Sequence, residues 1–252
     1  MARLEQLSWQ LAEWMGVGTC AILGTGPSAR LFPKTIPFFL NAMTIGLNQA
    51  WKIFGKPDCT LTIHAHEKEV VPQVLQNAYE NCGAIITKGK GPLRHWSRNM
   101  LESDRRAFIF EGNKEPGDFS YCEKKVPNHL YLGRGIQATA ITLAAHLGFK
   151  RVVLIGCDMC DLDGDHHGIQ DHHVRTHGLT PEQIYREYYE CTARVREIVY
   201  CNFGTRVYSL SPFLGFGREQ EDYKLLRDQL GLDPIGSQPD TSAYNRPMDK
   251  FL

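Results

Sequence analysis

Between residues 19 and 209, short runs of consecutive apolar residues alternate with longer segments whose apolar positions recur every three or four residues. The runs predict strands at 19–23, 43–47, 59–63, 84–87, 107–110, 152–155 and 206–209, and the periodic segments predict helices at 67–81, 136–147 and 181–200. The last helix opens on Thr180-Pro181-Glu182-Gln183, a capping-box pattern with proline at the first helical position. Ahead of the first strand, Leu4, Leu7, Leu11, Trp14 and Met15 keep helical spacing and predict an amphipathic helix over 3–15. The clearest unit is "GIQATAITLAAHLGFKRVVLIGCD", residues 135–158, where an Ala-rich helix stops at Gly148 and feeds an all-apolar strand of the kind buried on both faces. Strands alternating with helices predict an α/β fold, a mostly parallel sheet with helices on both faces, in one domain over 1–231. From 232 to 252 the periodicity stops and prolines appear, which predicts an extended tail, either mobile or lying on a neighbouring subunit.

In such sheets ligands collect outside the carboxyl ends of the strands, where the strand order reverses. That directs attention to the residues following each strand. The first strand runs into "GTGPSA", Gly24 to Ala29, whose spacing fits a dinucleotide fingerprint and whose glycines would let main-chain N–H groups approach an anion. An NAD site also wants a carboxylate at the end of the second strand, and Asn48 holds that place. Pro33 and Pro37 would also cut short the helix that carries the dipole to a pyrophosphate, so NAD is not expected. The amide of Asn48 can donate and accept, which suits a ribose hydroxyl or a base edge; it equally suits a turn that satisfies its own backbone.

Twenty-eight basic residues balance twenty-eight acidic ones, so no overall field draws in nucleic acid or an anionic membrane, and any anion must be held locally. Eight scattered cysteines in so long a chain read as a reduced set of thiols, and no run approaches the length of a membrane span. A cytoplasmic, soluble protein is expected, with no bulk nucleic-acid partner and with the first helix and the tail as contact elements should it self-associate.

Three stretches carry a resemblance: "ILGTGPSARLFP", "TIGLNQAWKIFGKPDCTLTIH" and "YLGRGIQATAITLAAHLGFKRVVLIGCDM". In that order and spacing they resemble a superfamily that includes the bacterial sialyltransferases using CMP-sialic acid and the domains similar to archaeal 6-hydroxymethylpterin diphosphokinase. The resemblance spans roughly 19–210 and implies a Rossmann-like fold and a nucleotide-dependent transferase. By matching motif it implicates Gly24, Thr25, Gly26, Pro27, Ser28, Asn48, Gln49, Gly133, Arg134, Gly135 and Asp158 in nucleotide binding, with Ser209 and Ser211 bordering the site. Arg134 departs from the small hydroxyl residues usual in that turn; its guanidinium could grip a phosphate or cap the surface. The branch using a nucleotide-activated sugar implies transfer to a hydroxyl acceptor by direct displacement with inversion. The other branch implies ATP- and Mg²⁺-dependent pyrophosphoryl transfer to a pterin-like alcohol. A nucleotide-binding module without catalysis is the third reading.

After the G-x-D strand comes "GCDMCDLDGDHHGIQDHHVRTHG", the least ordinary part of the chain, within a loop over 157–180. Five of the ten histidines fall within twelve positions, a composition that solvation alone does not require. His166, His167, His172 and His173 are candidates for moving a proton near neutral pH. Asp161 and Asp163, with Asp158, could hold Mg²⁺. Cys157 and Cys160 form a C-x-x-C that could bind zinc but reads better as two packed thiols. Weaker candidates are His64 and His66 after the third strand, the basic stretch 88–106 with Trp96, and Tyr185, Tyr188 and Tyr189 on the long helix.

Overall fold

The computed structural model describes residues 2–3, 18–32, 41–62, 83–88, 107–113, 115, 117–159, 161–162, 179–211, 214–218, 220–229 and 244–245. Eleven strands occur among them: β1 (Ala2–Arg3), β2 (Thr19–Leu23), β3 (Met43–Leu47), β4 (Cys59–Thr62), β5 (Ala84–Lys88), β6 (Ala107–Gly112), β7 (His129–Leu130), β8 (Arg151–Ile155), β9 (Asp161–Leu162), β10 (Arg206–Ser209) and β11 (Tyr244–Asn245). The α-helices are α1 (Trp51–Phe54), α2 (Ser120–Glu123), α3 (Ile136–His146), α4 (Pro181–Phe203) and α5 (Asp222–Gln229), and Pro27–Leu31 makes a 3₁₀ turn.

Eight strands lie side by side in the order β1-β6-β5-β4-β3-β2-β8-β10, every neighbouring pair parallel, with β7 parallel to the end of β6. The sheet therefore grows outward from β2 in one direction as far as β6, then restarts on the other side of β2 with β8 and β10. β2 and β8 flank the point of reversal, and their register pairs Cys20 with Val152 and Leu23 with Ile155.

All five residues of β2 and of β3 are buried, as parallel strands covered on both faces must be. Alternate side chains feed two cores. Cys20, Ile22, Ile45, Leu61 and Leu154 face α3 and α4; Ala21, Leu23, Val153, Ile155 and Tyr208 face Phe54 of α1 and Tyr223 and Leu226 of α5. Helices cover both faces, and the fold is the α/β, Rossmann-like arrangement the pattern predicts.

α3 is buried from Gln137 to His146 because it is wedged between the sheet and α4. α4 begins with the expected reciprocal cap: the Thr180 N–H donates to Gln183 Oε1 (2.8 Å) and the Gln183 N–H to Thr180 Oγ1 (3.3 Å). It runs three residues past the predicted end, because the first left-handed residue is Gly204, at φ 66°. At the other end of the chain, Arg3 lies in β1, paired with Ile109, and does not open a helix; residues 4–15 of the predicted helix, like the predicted helix at 67–81, fall outside the described residues. Within the tail, Tyr244–Asn245 pairs antiparallel with Asp161–Leu162 of the same chain. Among the described residues no helix is long and apolar enough to cross a membrane.

Candidate functional site at the strand reversal

Where β2 and β8 end, their two exit loops lock together. The Gly24 N–H donates to the Ile155 carbonyl (2.8 Å) and the Gly26 N–H to the Gly156 carbonyl (2.7 Å). The small residues make room for the neighbouring loop. A Cβ on Gly24 would strike the Gly156 carbonyl, one on Gly26 would lie 2.7 Å from Asp158 Oδ2, and one on Gly156, whose φ is 63°, would lie 2.6 Å from Ala29 Cβ.

Asp158 ties three strand exits into one. Its Oδ2 accepts the Ser28 N–H (2.6 Å), its Oδ1 accepts the Ser28 hydroxyl (2.7 Å), and the Ser211 hydroxyl beyond β10 donates to the same Oδ1. Desolvation raises the pKa of the partly buried carboxyl, against the Ser211 and Ser28 hydrogen bonds that lower it. The N–H groups of Gly24, Gly26 and Ser28, expected to meet an anion, donate here to protein acceptors, and Pro27 has no N–H to offer. The 3₁₀ turn ends at Phe32 in extended backbone, the conformation favoured ahead of proline at Pro33.

One strand further on, Asn48 leaves β3 in the left-handed region, at φ 50°, which asparagine tolerates better than most side chains. Its N–H donates to the Leu61 carbonyl (3.0 Å), while its side-chain Oδ1 is buried without a hydrogen-bond partner. Gln49 is partly buried, and its carbonyl accepts the Lys52 N–H (2.9 Å). Trp51, not singled out by any motif, has its indole Nε1 buried and likewise without a partner. Its position one turn after the asparagine, in "NQAW", was the available signal.

α3 runs into β8 and, as the crossover helix of a parallel pair, starts at the carboxyl edge of the sheet. That brings Gly133, Arg134 and Gly135 to the same edge as the glycine loop, Asn48 and Asp158. Gly133 is obligatory for packing, since a Cβ there would lie 2.6 Å from the Cys191 Sγ. Gly135 caps α3 at φ 81°, with no side chain serving its first turn. Arg134 does not point free: its Nε pairs with Glu187 Oε2 of α4 at 3.0 Å, the arginine exposed and the glutamate partly buried. Near that pair, burial raises the Tyr188 phenol while Arg134 pulls it down; Tyr185 is buried and Tyr189 stacks on Phe216.

The Cys157 thiol faces the core, donating weakly to the Ile22 and Ile155 carbonyls, and burial raises its pKa. Ser209 accepts the Ser211 N–H (3.2 Å) and is fully buried behind it. Among the described residues no three His, Cys, Asp or Glu side chains cluster to hold a metal ion. Asp161 is placed only through the backbone of β9, whereas Asp163, His166, His167, His172, His173 and Cys160, together with His64, His66 and Trp96, lie outside the described residues.

No family model and no curated protein sequence matches the chain. Among solved structures it is similar to the monofunctional alpha-2,3-sialyltransferase Cst-I from Campylobacter jejuni, at 12% identity and a TM-score of 0.45, covering 91% of this chain and 84% of that one. A likeness of that degree bears on neither substrate nor reaction.

Proposed function

We propose that the chain is a nucleotide-dependent transferase moving a sugar from a nucleotide-activated donor to a hydroxyl acceptor, with the nucleotide lying along the carboxyl edge of β2, β3 and β8. The reading is carried by the unpartnered Asn48 Oδ1 at that edge, since a buried acceptor left without a donor costs about 1–3 kcal/mol unless a ligand or water supplies one. It draws further support from the three quoted motifs, whose ends meet at one edge beside the strand reversal, where ligands of open α/β sheets bind.

In this reading the loop pair around Asp158 is the rigid floor of the site. The donor phosphate goes to the uncapped first turn of α3 and to Arg134 once it leaves Glu187. The acceptor oxygen attacks the sugar's anomeric carbon, the bond to the phosphate oxygen breaks with its electron pair on the nucleotide, and a histidine among His166, His167, His172 and His173 takes the hydroxyl proton. Proton transfer of that kind contributes roughly 10²–10⁴ in rate. Asp158, with three hydrogen bonds already made, is a poor ligand for Mg²⁺.

Calorimetry with CMP, UDP, GDP and ATP, each with and without Mg²⁺, tests the proposal. Metal-free binding of a pyrimidine nucleotide is expected. Binding of ATP only when Mg²⁺ is present would replace this reading with pyrophosphoryl transfer through Asp161 and Asp163. Alanine at the four histidines should then lower turnover while leaving nucleotide affinity in place.

A further inference from the structure

The residues that open α3 hold more provision for negative charge than one phosphate uses. Gly135 is the N-cap, no side chain caps the first turn and no acidic residue lies in it, so the leading N–H groups have no acceptor within the helix and their partial positive charge is not offset. Gln137, the second helical residue, is only 8% exposed, yet its amide makes no hydrogen bond among the described residues. That amide folds back over the start of the helix: a Cβ on Gly135 would lie 2.8 Å from Gln137 Nε2 and 2.9 Å from Gln137 Oε1. A buried amide without partners is destabilising unless a ligand or water answers it, and this one is aimed at the end of the helix where the uncapped N–H groups stand. Gly133, Gly135 and Ile136 are partly exposed and Arg134 is exposed, so a solute can reach the turn. The turn cannot back away from it, because Gly133 is pressed against the Tyr131 ring and the Cys191 Sγ of α4.

We infer that the start of α3 is a diphosphate site, so that the donor is a nucleoside diphosphate sugar and not a nucleoside monophosphate sugar. The inference rests on the nucleotide reading above and names the class of donor. The phosphodiester of a monophosphate sugar carries one negative charge on two free oxygens, and the helix end, equivalent to about half a positive charge, already offers N–H donors to those. Gln137 adds an amide donor and Arg134 adds a full positive charge on a two-pronged fork, which a second phosphate matches. The Arg134 fork is held by Glu187 Oε2 at 3.0 Å, an exposed cation on a partly buried carboxylate. A pair in contact with water is weakly held, and exchanging it for a phosphate strands no buried charge. Glu187 is thus an internal anion that competes with the second phosphate for Arg134.

The test is calorimetric titration, without Mg²⁺, of UMP against UDP, CMP against CDP and GMP against GDP, on the wild type, Arg134→Ser, Gln137→Ala and Glu187→Gln, with thermal melts of each variant. For the base it accepts, the wild type should bind the diphosphate roughly tenfold more tightly than the monophosphate, about what a hydrogen bond to a charged group supplies. Arg134→Ser should bring the two close to parity, and Gln137→Ala should narrow the gap. Glu187→Gln, which removes the competitor and keeps the shape, should raise diphosphate affinity by about threefold, the worth of a surface ion pair. A turn that served only to hold the fold would weaken both ligands alike when altered. Equal affinity of the wild type for the two phosphate lengths, or a preference untouched by Arg134→Ser and Glu187→Gln, would overturn the diphosphate site and leave the nucleotide reading standing. A wild type that binds none of the six nucleotides removes both.

Discussion

His146 closes the last turn of α3, buried and in ring contact with Phe203 at the end of α4, 5.4 Å between centroids. Its Nε2 has no partner, so a proton there would be a buried, unpaired charge. Burial accordingly lowers its pKa from 6.5 to about 4, opposed by a hydrogen bond to the Tyr121 backbone and reinforced by Lys125. As pH falls through 6.5 the unfolded chain takes up this proton and the folded chain does not. The stability present above 6.5 is therefore lost down to about pH 4, by on the order of 3 kcal/mol. His146→Gln removes the titration. Urea unfolding at pH 7 and pH 4.5 should show the wild type's advantage over the variant shrinking or reversing in acid; a gap that stays constant would show that His146 does not carry the effect.

The elements easiest to read from sequence are those whose stability is local or whose burial is two-sided. β2, β3 and β8 were legible because a strand covered on both faces is largely apolar, and α4 because its cap is written in four consecutive residues. β1, β7, β9 and β11 were not, since two-residue strands have no periodicity and exist only through pairing with a distant partner. The candidate site divides along the same line. Spacing marked Gly24, Gly26 and Ser28 as a place of close backbone approach, but what approaches is Asp158, from 130 positions away. That the Trp51 indole N–H is buried without a partner depends on the folded turn around it, which its place in the sequence does not show. The local cap gives a test at this scale. Thr180→Ala deletes the Oγ1 acceptor of the Gln183 N–H and should cost about 1 kcal/mol in urea unfolding, with faster amide exchange confined to the first turn of α4. Unchanged exchange there would mean that packing against α3, not the cap, sets the start of the helix.

At the scale of the whole molecule, the strand order places β2 between two halves of the sheet that grow in opposite directions. The Gly24 and Gly26 N–H groups tie the β2 exit loop to that of β8, and the Asp158 carboxylate, accepting from Ser28 and Ser211, adds a side-chain joint to the exit of β10, which makes the three loops one mechanical unit beneath the proposed nucleotide site. That predicts non-additivity. Ser28→Ala removes one hydroxyl from Asp158 Oδ1 and Ser211→Ala removes the other, and each should cost roughly 1–3 kcal/mol, as hydrogen bonds to charged groups do. Because both donate to one oxygen, losing the first lets the carboxyl shift toward the second, and the double variant should depart from the sum of the singles by about 0.5 kcal/mol or more. The measurement is a double-mutant cycle by urea unfolding at neutral pH. Additivity within error would mean that the loops are held independently and that Asp158 is not the joint between the two halves of the sheet. With coupling present, the same cycle repeated on nucleotide affinity reports whether that joint positions Asn48: affinity should fall in parallel with the coupled loss of stability, because the β2 exit loop leads directly into the edge where the ligand would lie.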